Sequence, residues 1–212
     1  MKMNQIKHIN PHYQQGIKTS RKEIIDLLKA WIILGLAFAI IINGVKFDLG
    51  FAVAFFVSLI AVGMGFLFHE LAHKFVAQHY GCFAEFRSYD PMLFIALIMS
   101  FFGFIFAAPG AVMIQGHMTH SQRGKISAAG PGMNIILAIL FLPLVFTSTG
   151  IMQFIAHYGF MINAWLALFN MIPFGFFDGK KIFDWNKWAY AGMVALALGL
   201  IVVQNLMQLG VI

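Results

Sequence analysis

The chain is short of charge. Of its 212 residues only 10% are Asp, Glu, Lys or Arg, against roughly 25% in soluble domains. That scarcity excludes a disordered chain, a nucleic-acid-binding arm and most soluble folds. Cysteine is nearly absent too. Cys82, the single one, can support neither a disulfide framework nor a Cys-based zinc finger, and points away from dependence on an oxidising compartment. No polar block is large enough for a separate soluble domain, and no repeat or low-complexity tract interrupts the chain. What it does hold is apolar: 60% of residues are hydrophobic, 24 of them Phe and 13 Met. This is the composition of an integral membrane protein.

A helix needs about 20 mainly apolar residues to cross the hydrocarbon core. Residues 30–45 come close, and 51–68 follow, their pattern continuing to Gln78. Residues 91–116 are apolar but interrupted by Pro109-Gly110. Residues 126–156 are too long for one pass and divide at Thr147-Ser148-Thr149-Gly150, the second half running on to Met171. Residues 188–212 are the last. The expected fold is all-α: an integral membrane bundle of about five to six transmembrane helices in one domain, residues 24–212, behind a cytoplasmic tail, residues 1–23. That tail lacks the short apolar core of a cleavable signal peptide. With the helix start that follows, it carries Lys2, Lys7, Lys18, Arg21, Lys22 and Lys29, which should hold it in the cytoplasm.

Residues 91–116 decide the topology. If they cross once, the Lys and Arg residues divide 8 inside and 6 outside; if they dip in and return, Lys46 alone of the 14 lies outside. The positive-inside bias favours a re-entrant, partly extended segment. Irregular backbone at membrane depth must be packed in protein or line a wet cavity, so a cavity is expected beside it.

The second apolar helix ends in His69-Glu70-Leu71-Ala72-His73, an HExxH motif. Four-residue spacing puts both imidazoles on one helix face, able to bind one zinc ion, and Glu70 beside them can take a proton from water at the metal. The bland reading is a polar helix end with a Glu70–Lys74 i,i+4 pair. It is the weaker one, because ionisable groups within membrane segments are costly and usually functional. Catalytic zinc usually takes three protein ligands. Asp178 is the best third candidate, presented after a break at Asn170 and Pro173 by backbone that Gly175 and Gly179 make pliable. Only the re-entrant topology puts Asp178 on the side of His69 and His73. A His2Asp set also suits iron or cobalt.

Together with Gly130-Pro131-Gly132-Met133-Asn134, the HExxH and the Asn170-x-x-Pro173-x-x-x-x-Asp178-Gly179 segments resemble the site-2 protease family of intramembrane zinc metalloproteases. The resemblance covers about residues 51–187. It implies one zinc ion held by His69, His73 and Asp178, with Glu70 as general base for hydrolysis of peptide bonds in transmembrane protein substrates within the lipid bilayer of the cell membrane. It also implies a strand edge near residues 111–114 for an unwound substrate. Lys180 and Lys181 depart from the Gly-Arg common after the family's Asp-Gly. There is no room for a PDZ domain between the motifs, so the chain resembles a minimal catalytic core.

Asn134 reads two ways: as a catalytic amide for the oxyanion or substrate backbone, or as a hydrogen bond between helices. Asn170 could serve the site or only satisfy backbone freed by Pro173. His117 and His120 fit solvated loops, and His8, His12 and His157 receive no role. Asp90 lacks the partner motif of an aspartyl protease, and no Gly-x-Ser-x-Gly occurs. Two other functions use the same cluster: a transporter or metal-permeation protein, and a catalytically silent scaffold. The apolar outer halves of the helices argue against the first, and the intact Glu70 against the second. No nucleic-acid partner is expected.

Overall fold

A computed structural model describes residues 18–46, 48–105 and 109–210. His8, His12 and most of the expected tail lie outside the described residues. Among the described residues nine elements follow in order: α1 (Arg21–Asn43), α2 (Leu49–His79), β1 (Phe83–Ser88), α3 (Asp90–Ser100), β2 (Gly110–Gln115), α4 (His120–Thr147), α5 (Gly150–Asn170), α6 (Asp178–Trp185) and α7 (Lys187–Gln208).

Local sequence sets the boundaries. Ser20 accepts from the Glu23 N–H at the start of α1, and Asp48 from Phe51 N–H at the start of α2. Thr119 and Gln122 form a reciprocal capping box on α4, and Asn186 caps α7 through two N–H groups. Each satisfies donors that the first helical turn leaves free. α1, α2, α4, α5 and α7 are long and apolar enough to cross a membrane, as in a helical membrane protein. α3, with 11 residues, is about 16 Å long and too short to span.

α2 is the central element, packed against α1, α4 and α5. One apolar core joins α2, α4, α5 and α7 around Phe160 and Phe141. A second joins α1, α2, α5, β1 and α3 around Phe66, Phe86 and Leu93. Outward faces carry large exposed apolar groups such as Phe94, Leu140 and Phe154, the surface expected where lipid is the solvent.

The stretch 91–116 is not one element. β1 and β2 pair antiparallel, Ser88 opposite Gly110 and Phe83 opposite Gln115. The excursion through α3 therefore starts and finishes at neighbouring residues, and the Pro109-Gly110 break opens β2. β1 itself is an addition to the expected all-helical reading.

The two edges of this sheet differ. Tyr89 N–H donates to Pro109 O at 3.0 Å, so the alternate pairs, Phe86 with Val112 and Ala84 with Ile114, turn their N–H and C=O groups outward. On β1 that edge is covered: Glu23 Oε1 accepts from Phe86 N–H at 2.9 Å, and Gln78 Nε2 donates to Ala84 O at 3.0 Å. Glu23 also pairs with Lys74, and both side chains are fully buried. Lys74 Nζ donates further to Thr19 Oγ1. Lys74 thus reaches back to α1, where sequence spacing would pair it with Glu70.

Candidate metal centre

The site is assembled from three helices. α2 brings His69 and His73 one turn apart on its buried face, with their rings edge to face at 4.7 Å. α4 packs behind them. α6 begins at Asp178, whose carboxylate sits in the first turn of that helix, where the N-terminal dipole favours negative charge. The turn before it works as the sequence indicates: α5 stops at Asn170, and Gly175 takes φ +67°, a conformation open chiefly to glycine. Gly179 is required for a different reason. A side chain there would collide with the Met171 and Ile172 carbonyls.

His69, His73 and Asp178 are all buried, and their potential ligand atoms lie within 4.8 Å of one another. The Nε2 atoms of the two histidines are 3.0 Å apart. Asp178 Oδ2 is 3.0 Å from His73 Nε2 and 3.6 Å from His69 Nε2. Lys181 Nζ approaches its other oxygen at 3.4 Å.

The outer nitrogens of the rings reveal where the protons are. His73 Nδ1 is 2.7 Å from the Ile126 carbonyl, which can only accept, so Nδ1 carries the hydrogen. His69 Nδ1 is 2.5 Å from Asn134 Oδ1. The Asn134 amide is oriented by its own donors, Nδ2 to Gly65 O at 3.0 Å and to Asn163 Oδ1 at 2.9 Å. With Nδ1 of each ring engaged by its outer partner, Nε2 is the nitrogen turned toward Asp178 and the one left to bind a metal. Two Nε2 atoms and a carboxylate oxygen converge here, and with both rings neutral a cation at their centre would satisfy all three. Two imidazole nitrogens and a carboxylate oxygen are a zinc donor set, and each ring has the outer partner that metal-binding histidines require. Gly130 leaves open the space beside both Nε2 atoms, since a Cβ there would overlap them. The residues fit a zinc ion.

Glu70 is half-buried, on the turn between the two histidines. Its carboxylate lies within electrostatic reach of His69, Asp178 and Lys181 and of the outward Val112 N–H of β2. The base candidate and the open strand edge thus meet at one place.

Asn134 does not face a cleft. It is fully buried, with its oxygen on His69 and its nitrogen on Gly65 and Asn163, so it stands behind the ligand rather than beside a substrate. Asn170 donates to Leu166 O at 2.9 Å, a local bond at the helix end. His117 and His120 are exposed, and His120 lines a shallow depression with Arg123, Lys180, Lys181 and Asp184. His157 packs edge-on against Tyr158. Asp90 is exposed and bound to Lys29 at 2.5 Å and to Ser88 at 2.9 Å, away from the cluster. Sequence reasoning passed over the Ile126 carbonyl, Gly65 and Asn163. Only Asn163 carried a signal, an amide in an otherwise apolar run.

No protein-family model and no solved structure matches the chain. Among curated proteins it is similar to a Methanocaldococcus jannaschii protein named "Putative zinc metalloprotease MJ0611". The two are 43% identical over 180 residues, spanning 82% of this chain and 91% of that one. With that identity over most of both lengths, the chain belongs to the family of this Methanocaldococcus jannaschii protein.

Proposed function

We propose that the protein is an intramembrane zinc metalloprotease of the site-2 type, cleaving peptide bonds in or near transmembrane segments of other proteins. The observation that carries this reading is the convergence of two Nε2 atoms and the Asp178 carboxylate within 4.8 Å, with Glu70 alongside. A zinc ion held by His69, His73 and Asp178 supplies a Lewis acid that polarises a peptide carbonyl and acidifies water. Glu70 takes the proton of the attacking water and returns it to the leaving amine. The matched relative, by its name a zinc metalloprotease, supports the same chemistry.

The strand pair supports a substrate in extended form. A peptide bond inside a helix must leave its hydrogen bonds before water can attack, and in lipid the freed groups need new partners. Val112 and Ile114 offer outward N–H and C=O groups on the edge of β2 nearest Glu70, whereas β1 is covered by Glu23 and Gln78. Strand addition to β2 would satisfy the substrate backbone and lay it past the base.

Length places the chemistry by depth. From Asp48, taken as the outer end, about 20 residues lead to His69, roughly 30 Å along the helix and close to the inner edge of the hydrocarbon. In this topology residues 91–116 are re-entrant from the cytoplasm, and the site opens to the cytoplasmic side of the cell membrane.

The test is cleavage of a panel of single-span membrane proteins by purified protein in detergent, beside Glu70→Gln. Cleavage by wild type that falls at least about 100-fold in the variant is expected for a lost general base. Equal cleavage by both overturns the role of Glu70, and no cleavage of any panel member by a zinc-loaded wild type favours a transport or scaffold function.

A further inference from the structure

α5 supplies no ligand to the cluster, yet one of its side chains is hydrogen-bonded through to it. Asn163 is fully buried in the middle of α5, whose other buried residues are apolar or glycine. We propose that Asn163 is a positioning residue for the metal cluster, fixing the Asn134 amide with its oxygen toward His69 and so keeping the His69 Nε2 lone pair free for the ion. This rests on the metal reading above.

The direction of each bond fixes the next. The Gly159 carbonyl can only accept, so the Asn163 group facing it at 2.8 Å is Nδ2. That leaves Asn163 Oδ1 for Asn134 Nδ2, 2.9 Å away, while the second Asn134 hydrogen goes to Gly65 O. The Asn134 oxygen is then the only group left for His69, and His69 must carry its hydrogen on Nδ1.

A flipped Asn134 would set its oxygen against two acceptors, Gly65 O and Asn163 Oδ1. Its NH2 group would face His69 Nδ1 and drive the ring hydrogen to Nε2, where the ligand lone pair is needed. The Gly65 carbonyl opposes that flip alone with one bond; Asn163 supplies the second. The close approach of α2 to α5 here depends on Gly65, where a Cβ would lie 2.9 Å from Asn163 Oδ1. Two main-chain carbonyls on different helices thus set the polarity of the whole chain from Gly159 to His69. An asparagine that merely joined helices could point either end at Asn134.

The test measures zinc affinity of the full chain in detergent by chelator competition, with the wild type and His69→Ala defining the site. Asn163→Leu should weaken zinc about 10- to 100-fold, the usual effect of losing an outer partner. Asn163→Asp should restore affinity to within a few fold, because a neutral buried acid can donate to Gly159 O and accept from Asn134. In an Asn134→Leu background, Asn163→Leu should have no further effect on zinc, since its action passes through Asn134. If Asn163→Leu does not fold, Asn163→Ala, which keeps helix propensity, gives the same reading. Unchanged affinity in the Leu or Ala variant overturns the inference alone, as does an effect that adds to that of Asn134→Leu or that Asn163→Asp fails to restore. A wild type whose zinc binding is untouched by His69→Ala overturns the metal reading, and this inference with it.

Discussion

Glu23 and Lys74 form an ion pair at 2.6 Å with neither side chain exposed to solvent. Lys74 directly follows His73, and the other Glu23 oxygen holds the β1 backbone, so one buried pair ties α1, the helix that carries His69 and His73, and the strand pair together. Removing one partner of a buried pair strands the other charge and costs about 3–5 kcal/mol. Lys74→Met and Glu23→Leu should each lower unfolding stability in detergent by about that much. The exposed Lys181→Ala should move it by less than about 1 kcal/mol. Comparable effects for all three would show that the pair is not a structural hub.

The cluster of His69, His73 and Asp178, which could hold a metal ion, was legible in the sequence because it depends on local spacing. HExxH needs only the helical period, and Asp178 follows a break that Asn170, Pro173 and Gly175 announce. The five long helices were visible as apolar runs for the same reason. β1 was not, because six residues of strand gain their identity from β2, over twenty residues away, across the excursion through α3. Lys74 shows the same limit: spacing offers Glu70 as its partner, whereas the fold brings Glu23 from α1. Asn134 stood out in the sequence as an amide in an apolar helix, but the direction in which it points is set by Gly65 and Asn163 on two other helices, and no local pattern records that.

The three ligand candidates make a quantitative claim. Wild-type protein should bind about one zinc per chain, as expected of a single three-ligand site. His69→Ala, His73→Ala and Asp178→Ala should each weaken binding by more than the roughly 10- to 100-fold typical of an outer partner. Metal analysis after dialysis against a chelator checks this. Undiminished zinc in any of the three removes that residue from the ligand set.

Two glycines two residues apart in their motif, Gly130 and Gly132, separate site chemistry from helix chemistry. A methyl group at Gly130 would press on the Nε2 atoms of His69 and His73, whereas at Gly132 it would meet only the end of Met193 at 3.9 Å. Gly130→Ala should therefore abolish zinc binding and cleavage while the helices still form. Gly132→Ala should leave zinc unchanged and, by raising helix propensity, stabilise the protein by about 0.5–1 kcal/mol. If both variants bind zinc like the wild type, the space beside Gly130 is not the metal position.

The proposed site depends on the topology. Ser88 and Gly110 are paired, so the chain that leaves β1 through α3 returns to where it began. If α1 and α2 each cross once, residues 91–116 are expected to enter and leave on the same side, the side where the positive-inside bias would put every Lys and Arg except Lys46. Single cysteines at Ser121 and Lys187, in a Cys82→Ala background, should resist impermeant thiol reagents added outside intact cells. A cysteine at Asp48, in the α1–α2 connection, should react. Labelling of positions 121 and 187 from outside, with Asp48 also reactive, would mean that the segment crosses the membrane once. Asp178 and the α2 histidines would then face opposite sides, which is incompatible with distances of 3.0 and 3.6 Å between their ligand atoms.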